Sequence, residues 1–351
     1  MKKYYLLIIS ILMFFLVSCS VDNVQPDIIW PENLGKGFYV LNQGNYTAGN
    51  ATLSFYRYDS AKMENNLFFR RNGIPLGDVA QSLTFWNNYA FIVVNNSSTI
   101  WAINSNTSIV AGKLSGLHSP RFVQVISNEK SYVSDLLTPG ITVFNTSTLQ
   151  LIGTIPTGKS TEQLLIFQNK VFAANWSDYN QTAPNNTIQI IDVALDQLSD
   201  SIVVVKEPNS MVLDKNNKLW VLCSGGFMNE EMPALFRINA ETNVIEARFN
   251  FGNIEISPEQ LSINGSRDKL FFINKGIYQM GISDTELPLQ PFISQGQRNF
   301  YTLAIEPQSG EILVTDAGNY TQNGYVFRFR SDGMLIDSLR AGIIPGFIGF
   351  N

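Results

Sequence analysis

The chain has 351 residues, 45% of them hydrophobic and 15% charged, with a formal net charge of −5. That balance suits a large core beneath a polar, weakly charged surface, and the lack of any basic stripe argues against a nucleic-acid partner. One histidine and two cysteines leave little from which to build a disulfide framework or a Cys/His metal site.

At the N-terminus, Lys2 and Lys3 precede an apolar run from Tyr4 to Val17, which ends in Leu16-Val17-Ser18-Cys19. This resembles a bacterial lipoprotein signal, in which cleavage before the cysteine frees it for lipidation. Residues 1–18 are therefore expected to be a signal peptide, and 19–36 a polar tether carrying lipid on Cys19. Such chains would hold the protein to a membrane through the anchor alone. An uncleaved anchor or an ordinary secretory signal is the alternative.

From Gly37 onward one pattern recurs seven times: strand, short polar turn, strand, variable loop, strand, short polar turn, strand. The first turn type appears at Trp86-Asn87-Asn88, Ser127 to Lys130, Gln168 to Lys170, Asp214 to Lys218, Asn264 to Lys269 and Pro307 to Gly310. Asn, Asp and Gly tolerate the left-handed backbone that tight hairpins need. The second type closes each copy, at Asp59-Ser60, Asn104 to Thr107, Asn145 to Thr148, Asp192 to Ala194, Asn239 to Thr242, Ser283 to Thr285 and Arg330 to Gly333. Gly77, Gly116, Gly158, Gly252, Gly296 and Gly342 mark the handover between copies, with one member missing near Glu207. The strands are rich in β-branched and aromatic residues, as in Ala90-Phe91-Ile92-Val93-Val94. No amphipathic helix is evident after the signal segment.

The first copy lacks an inner strand, and Gly346-Phe347-Ile348-Gly349-Phe350 at the other end supplies a candidate. The expected fold is all-β: a seven-bladed β-propeller over residues 37–351, closed by a C-terminal strand that completes the first blade. Such closure removes a free sheet edge.

The loop between second and third strands varies in length. It is long in copies one, four, five and seven: Asn42–Asn50, Asn175–Asn186, Ser224–Pro233 and Asp316–Gly324. Copies seven and one become neighbours when the ring closes, so two raised walls should face each other across the channel mouth. Long loops in a compact repeat are commonly functional. The walls offer Asn45 and Tyr46 in copy one, Trp176 and Tyr179 in copy four, Phe227 in copy five, and Asn319 and Tyr320 in copy seven. Copies one and seven share Gly-Asn-Tyr-Thr. A second set precedes or opens each inner strand: Gln81, Arg121, Gln163, Asn209, Gln260 and Tyr301. Aromatic and amide groups with little charge suit a large, neutral, planar or amide-rich ligand. The competing reading is that Asn-Gly loops are good turns and that the second set merely hydrates the channel.

Catalytic signals are sparse. His118 stands alone, Cys223 ends an apolar strand and reads as an inert buried thiol, and Glu230-Glu231 reads as solvated charge. No nucleophile elbow, zinc-binding His-Glu-x-x-His, Walker loop or calcium loop occurs. Neither an enzyme nor a bound cofactor or metal is expected.

The stretch Val40-Leu41-Asn42-Gln43-Gly44-Asn45, followed by Gly49 to Tyr56, resembles the opening of the YncE-like propeller lipoproteins. BtuG-type members of that group capture cobalamin at the cell surface and pass it to a TonB-dependent outer-membrane transporter. The resemblance implies an outer-membrane, outward-facing lipoprotein that binds cobalamin or a similar small molecule and has such a transporter as partner. A protein-interaction propeller without a small ligand, or a lactonase-like propeller hydrolase, are the alternatives.

Overall fold

A computed structural model describes residues 32–176 and 184–350. The predicted signal peptide, Cys19, most of the tether and Tyr179 lie outside the described residues. From Gly37 onward the chain forms seven antiparallel four-stranded sheets. Their inner strands are Pro345–Phe350, Ala80–Trp86, Pro120–Val125, Leu164–Phe167, Pro208–Leu213, Glu259–Ile263 and Phe300–Ile305, belonging to blades one to seven in that order. The expected closure is present: Pro345–Phe350 pairs with Gly37–Asn42, setting Phe350 opposite Phe38 and Phe347 opposite Leu41. This is a seven-bladed β-propeller.

The core lies between blades. Each of seven hydrophobic clusters spans one blade junction. Phe172 and Ile190 of blade four, for example, pack with Val221 and Phe236 of blade five. At the closing junction Phe38, Val40 and Ile348 meet Leu313 and Val326. A middle strand is covered on both faces, so Gly37–Asn42 is buried throughout, whereas the outer strand Leu151–Pro156 is mostly exposed. Sheets covered on both faces favour the continuous apolar runs seen in the sequence over strict alternation.

The recurring Asn and Asp of the last turn do one job in successive blades. Asn104, Asn145, Asp192 and Asn239 each accept, through Oδ1, the backbone N–H groups two and three residues ahead. This side-chain turn fixes the reversal before the outer strand. At the handovers Gly77, Gly116, Gly158 and Gly296 have positive φ, and where the glycine is missing Glu207 itself takes φ 54°.

One expectation needs correcting. A short helix, Leu67–Asn72, follows blade one, whose outer strand is cut to Lys62–Glu64. The helix buries Leu67 and Phe68 in the junction with blade two and ends at Gly73, whose N–H donates to Phe69 O in a left-handed cap. Six residues are too few for a helical period to show.

Candidate functional site

In blades two to seven the first strand connects to the second, and in every blade the third connects to the fourth, on one face of the disc. The loops between second and third strands and the handovers lie on the other, here called the mouth face. On this face a cavity of about 880 Å³ occupies the propeller axis. It runs from the heads of the inner strands down to Ile263, Ile305 and Phe350 at their far ends.

Inner strands bulge where they reach the mouth. Register shifts fall at residue 81, at residues 121–122, at 209, at 260–261, at 301–302 and at 346. A bulge redirects a side chain and ends regular pairing. Gln81, Arg121, Asn209, Gln260 and Tyr301 accordingly line the cavity, and Gln163, just ahead of the unbulged strand Leu164–Phe167, lines it as well. The seventh position is Gly346, and a Cβ there would meet the Gln43 side chain at 2.4 Å. Gln43 thus reaches into the place a seventh ring side chain would take, and Tyr301 donates its hydroxyl to Gln43 Oε1 at 2.9 Å.

The ring is braced around its circumference. Arg121 donates Nε and Nη2 to the two oxygens of Glu162 at 2.6 and 2.8 Å, and Nη1 to Gln81 Oε1 at 2.8 Å. Its guanidinium also lies over the Trp176 ring at 5.4 Å. Gln163 bonds both backbone groups of Met211, Asn209 donates to Pro258 O, and Gln260 accepts from the Thr302 hydroxyl. Each of these bonds crosses to a neighbouring blade, so the ring residues tie inner strands together as well as facing the cavity.

The walls divide. Trp176 and Phe227 line the cavity. Asn45, Tyr46, Asn319 and Tyr320 stand outside its lining, although the two Gly-Asn-Tyr-Thr segments do meet: Asn45 Nδ2 donates to Tyr320 O at 2.6 Å. Tyr320 backs Tyr301 edge-on with ring centroids 5.9 Å apart. Asn319 shapes its own turn, accepting from Thr321 and Gln322. Tyr46 is 72% exposed at a loop tip. Glu230 and Glu231 are more than solvated charge. Glu230 pairs with Lys206 and accepts from Met228 N, while Glu231 accepts from Lys206 N, so together they pin the blade-five loop.

Sequence reasoning missed the cavity's carboxylates. Glu162, Glu207 and Glu259 lie one or two residues before the ring residues of blades four, five and six, and all three line the cavity. Arg121 neutralises Glu162. Glu207 accepts from the Ser224 hydroxyl at 3.1 Å. Burial pushes the Glu259 carboxyl up to about 7. Three lining residues, Val79, Glu207 and Gln260, hold positive φ of 56°, 54° and 59°, and strain of this kind gathers at ligand sites. The repeated Glu just ahead of the ring position was the available signal. The expected uncharged lining therefore describes the walls but not the rim.

His118 is exposed and bonds Thr138, and the Cys223 thiol is buried in the junction of blades four and five, which raises its pKa. Among the described residues no group of three or more His, Cys, Asp or Glu is placed to hold a metal ion.

A family profile described as a domain of unknown function, DUF5074, matches residues 36–339. The chain belongs to the DUF5074 family. No curated protein matches it. A crystal structure of a quinonprotein alcohol dehydrogenase-like protein from Bacteroides thetaiotaomicron is similar with a TM-score of 0.72 at 16% identity, covering 91% of this chain and 79% of the other. Hydrazine synthase from Kuenenia stuttgartiensis is similar at TM-score 0.59 and 13% identity over 74% of this chain and 85% of its own. Apo AztD from Citrobacter koseri follows at TM-score 0.56 and 7% identity, covering 89% and 96%. At these identities this member of the DUF5074 family shares the propeller fold with them.

Proposed function

We propose that this DUF5074 protein is a non-catalytic capture protein that holds a bulky organic molecule in its axial cavity. The observation that carries this reading is the cavity of about 880 Å³ to which every blade contributes. Its volume falls in the range of small-molecule sites. Trp176, Phe227 and Tyr301 offer aromatic surface, and the ring amides offer donors and acceptors fixed by their bonds to neighbouring blades. Ser224 donates to Glu207 on the lining, but no histidine lines the cavity to work beside that pair, and binding and release are the activity we propose.

We further propose that Cys19 carries lipid, that the protein faces outward from the outer membrane, and that it hands its cargo to a TonB-dependent transporter. The lipobox and the resemblance of the opening motif support this, and the same resemblance makes cobalamin the first ligand to try. The apolar loop tips Tyr46, Phe227 and Met228, 72%, 78% and 74% exposed, offer a partner somewhere to dock beside the mouth.

Calorimetric titration with cyanocobalamin tests the ligand. Heat on mixing and a raised unfolding temperature are expected, with about 2.7 kcal/mol of added stability at 100 Kd of free ligand. Neither heat nor protection would overturn the corrinoid assignment.

A further inference from the structure

The face of the disc opposite the mouth carries a second cavity, of about 180 Å³, at the junction of blades two and three. Trp86, Tyr89 and Phe91 of blade two form one side, and Thr146, Ser147 and Leu149 in the last turn of blade three form the other. None of the described lining residues is charged. Trp86 Nε1 donates to Asn128 Oδ1 at 3.0 Å, which fixes the indole across the junction.

The next two junctions show what such a space accepts. The residue after the first turn is Tyr89 in blade two, Lys130 in blade three and Lys170 in blade four. Each lysine reaches across to the last turn of the following blade. Lys130 Nζ donates to Val193 O at 2.6 Å and to Asp196 Oδ1 at 2.8 Å, and it lies 5.9 Å from the centre of the Tyr132 ring. Lys170 Nζ donates to Ala240 O, Glu241 O and Asn243 Oδ1 at 3.3, 2.7 and 2.9 Å. All three acceptors of Lys170 are neutral, so an ammonium needs no carboxylate there.

The shared side-chain turn aligns the three junctions. Asn145, Asp192 and Asn239 each accept the N–H groups two and three residues ahead. Thr146 therefore stands where Val193 and Ala240 do, and Ser147 where Glu241 does. Leu149 stands where Asp196 and Asn243 do, and all three have positive φ. Phe91 takes the place of Tyr132. No lysine arrives at this junction. Among the described residues nothing donates to the carbonyl of Thr146 or of Ser147, and Tyr89 stands 44% exposed at the edge of the gap.

We propose that this cavity binds an alkylammonium group, its nitrogen on the Thr146 and Ser147 carbonyls and its alkyl chain against Trp86, Tyr89 and Leu149. The head is that of a lysine side chain or of a free amine. Aromatic faces attract such cations, and the carbonyls supply the acceptors that the protein's own lysines use one and two junctions on. The site is separate from the axial cavity and far smaller.

Butylammonium and butanol share one body and differ in head charge. Each is titrated at about pH 7, where the amine is charged, and followed by the NMR resonance of the Trp86 indole N–H, identified by its loss in Trp86→Phe. The ammonium ion is expected to shift that resonance at about ten-fold lower concentration than the alcohol. Tyr89→Lys puts a lysine where Lys130 and Lys170 stand, so it should fill the seat from within and abolish the response to butylammonium. Leu149→Asn supplies the acceptor that Asn243 gives in blade five and suits the left-handed backbone, so it should tighten binding. Nα-acetyl-lysine amide acting at lower concentration than butylammonium would assign the head to a partner's lysine, and the reverse order to a free amine. A response to butanol equal to that of butylammonium, no response to either, or a butylammonium response that survives in Tyr89→Lys would overturn the proposal.

Discussion

Single residues around the axis carry opposite kinds of charge cost. Glu259 has its folded pKa raised from 4.5 to about 7 by burial. Between those values the folded protein keeps a proton that the unfolded chain has lost, so Glu259 lowers stability as the pH rises through this window. Glu259→Gln should therefore unfold at a higher temperature than the wild type above pH 7 and at the same temperature below 4.5. An equal difference at both pH values would refute the cause. Arg121 behaves in the other sense. Arg121→Met strands Glu162, 6% exposed, without its partner, and should cost about 3–5 kcal/mol in denaturant unfolding. Tyr46→Ala, at an exposed loop tip, should stay within about 0.5 kcal/mol of the wild type. The ring residues were legible because each precedes or opens an inner strand, some behind a Ser-Pro step. The carboxylates beside them were not. Arg121 and Glu162 lie 41 residues apart, and only the closed ring turns them into a pair facing one cavity.

Among elements, the middle strands and both turn classes could be read directly, because a middle strand covered on both faces needs apolar residues along its length and the last turns of blades two to five use an Asn or Asp acceptor. The helix Leu67–Asn72 could not, since its apolar residues Leu67-Phe68-Phe69 look like any strand of the repeat. It covers the blade edge that the three-residue strand Lys62–Glu64 leaves short. Phe68, 1% exposed and 5.4 Å from the Trp101 ring, joins it to blade two. Phe68→Ala should cost about 3–5 kcal/mol, measured by urea unfolding; a loss under about 1 kcal/mol would mean the helix is an ornament rather than part of the junction. Inner-strand bulges were equally invisible in the sequence, yet they aim the ring at the axis.

For the whole molecule, closure by Pro345–Phe350 turns seven like blades into one ring with two unlike faces. The chain enters that ring on the face away from the mouth: Leu34 is buried, and its N–H donates to Asn106 O in the last turn of blade two. The central claim is narrower: the axial cavity is where a ligand sits. Calorimetric titration of cyanocobalamin into the wild type and a Trp176→Ala/Phe227→Ala variant tests it most directly. Heat in the wild type that is lost in the variant is the predicted result; equal heat in both would contradict it.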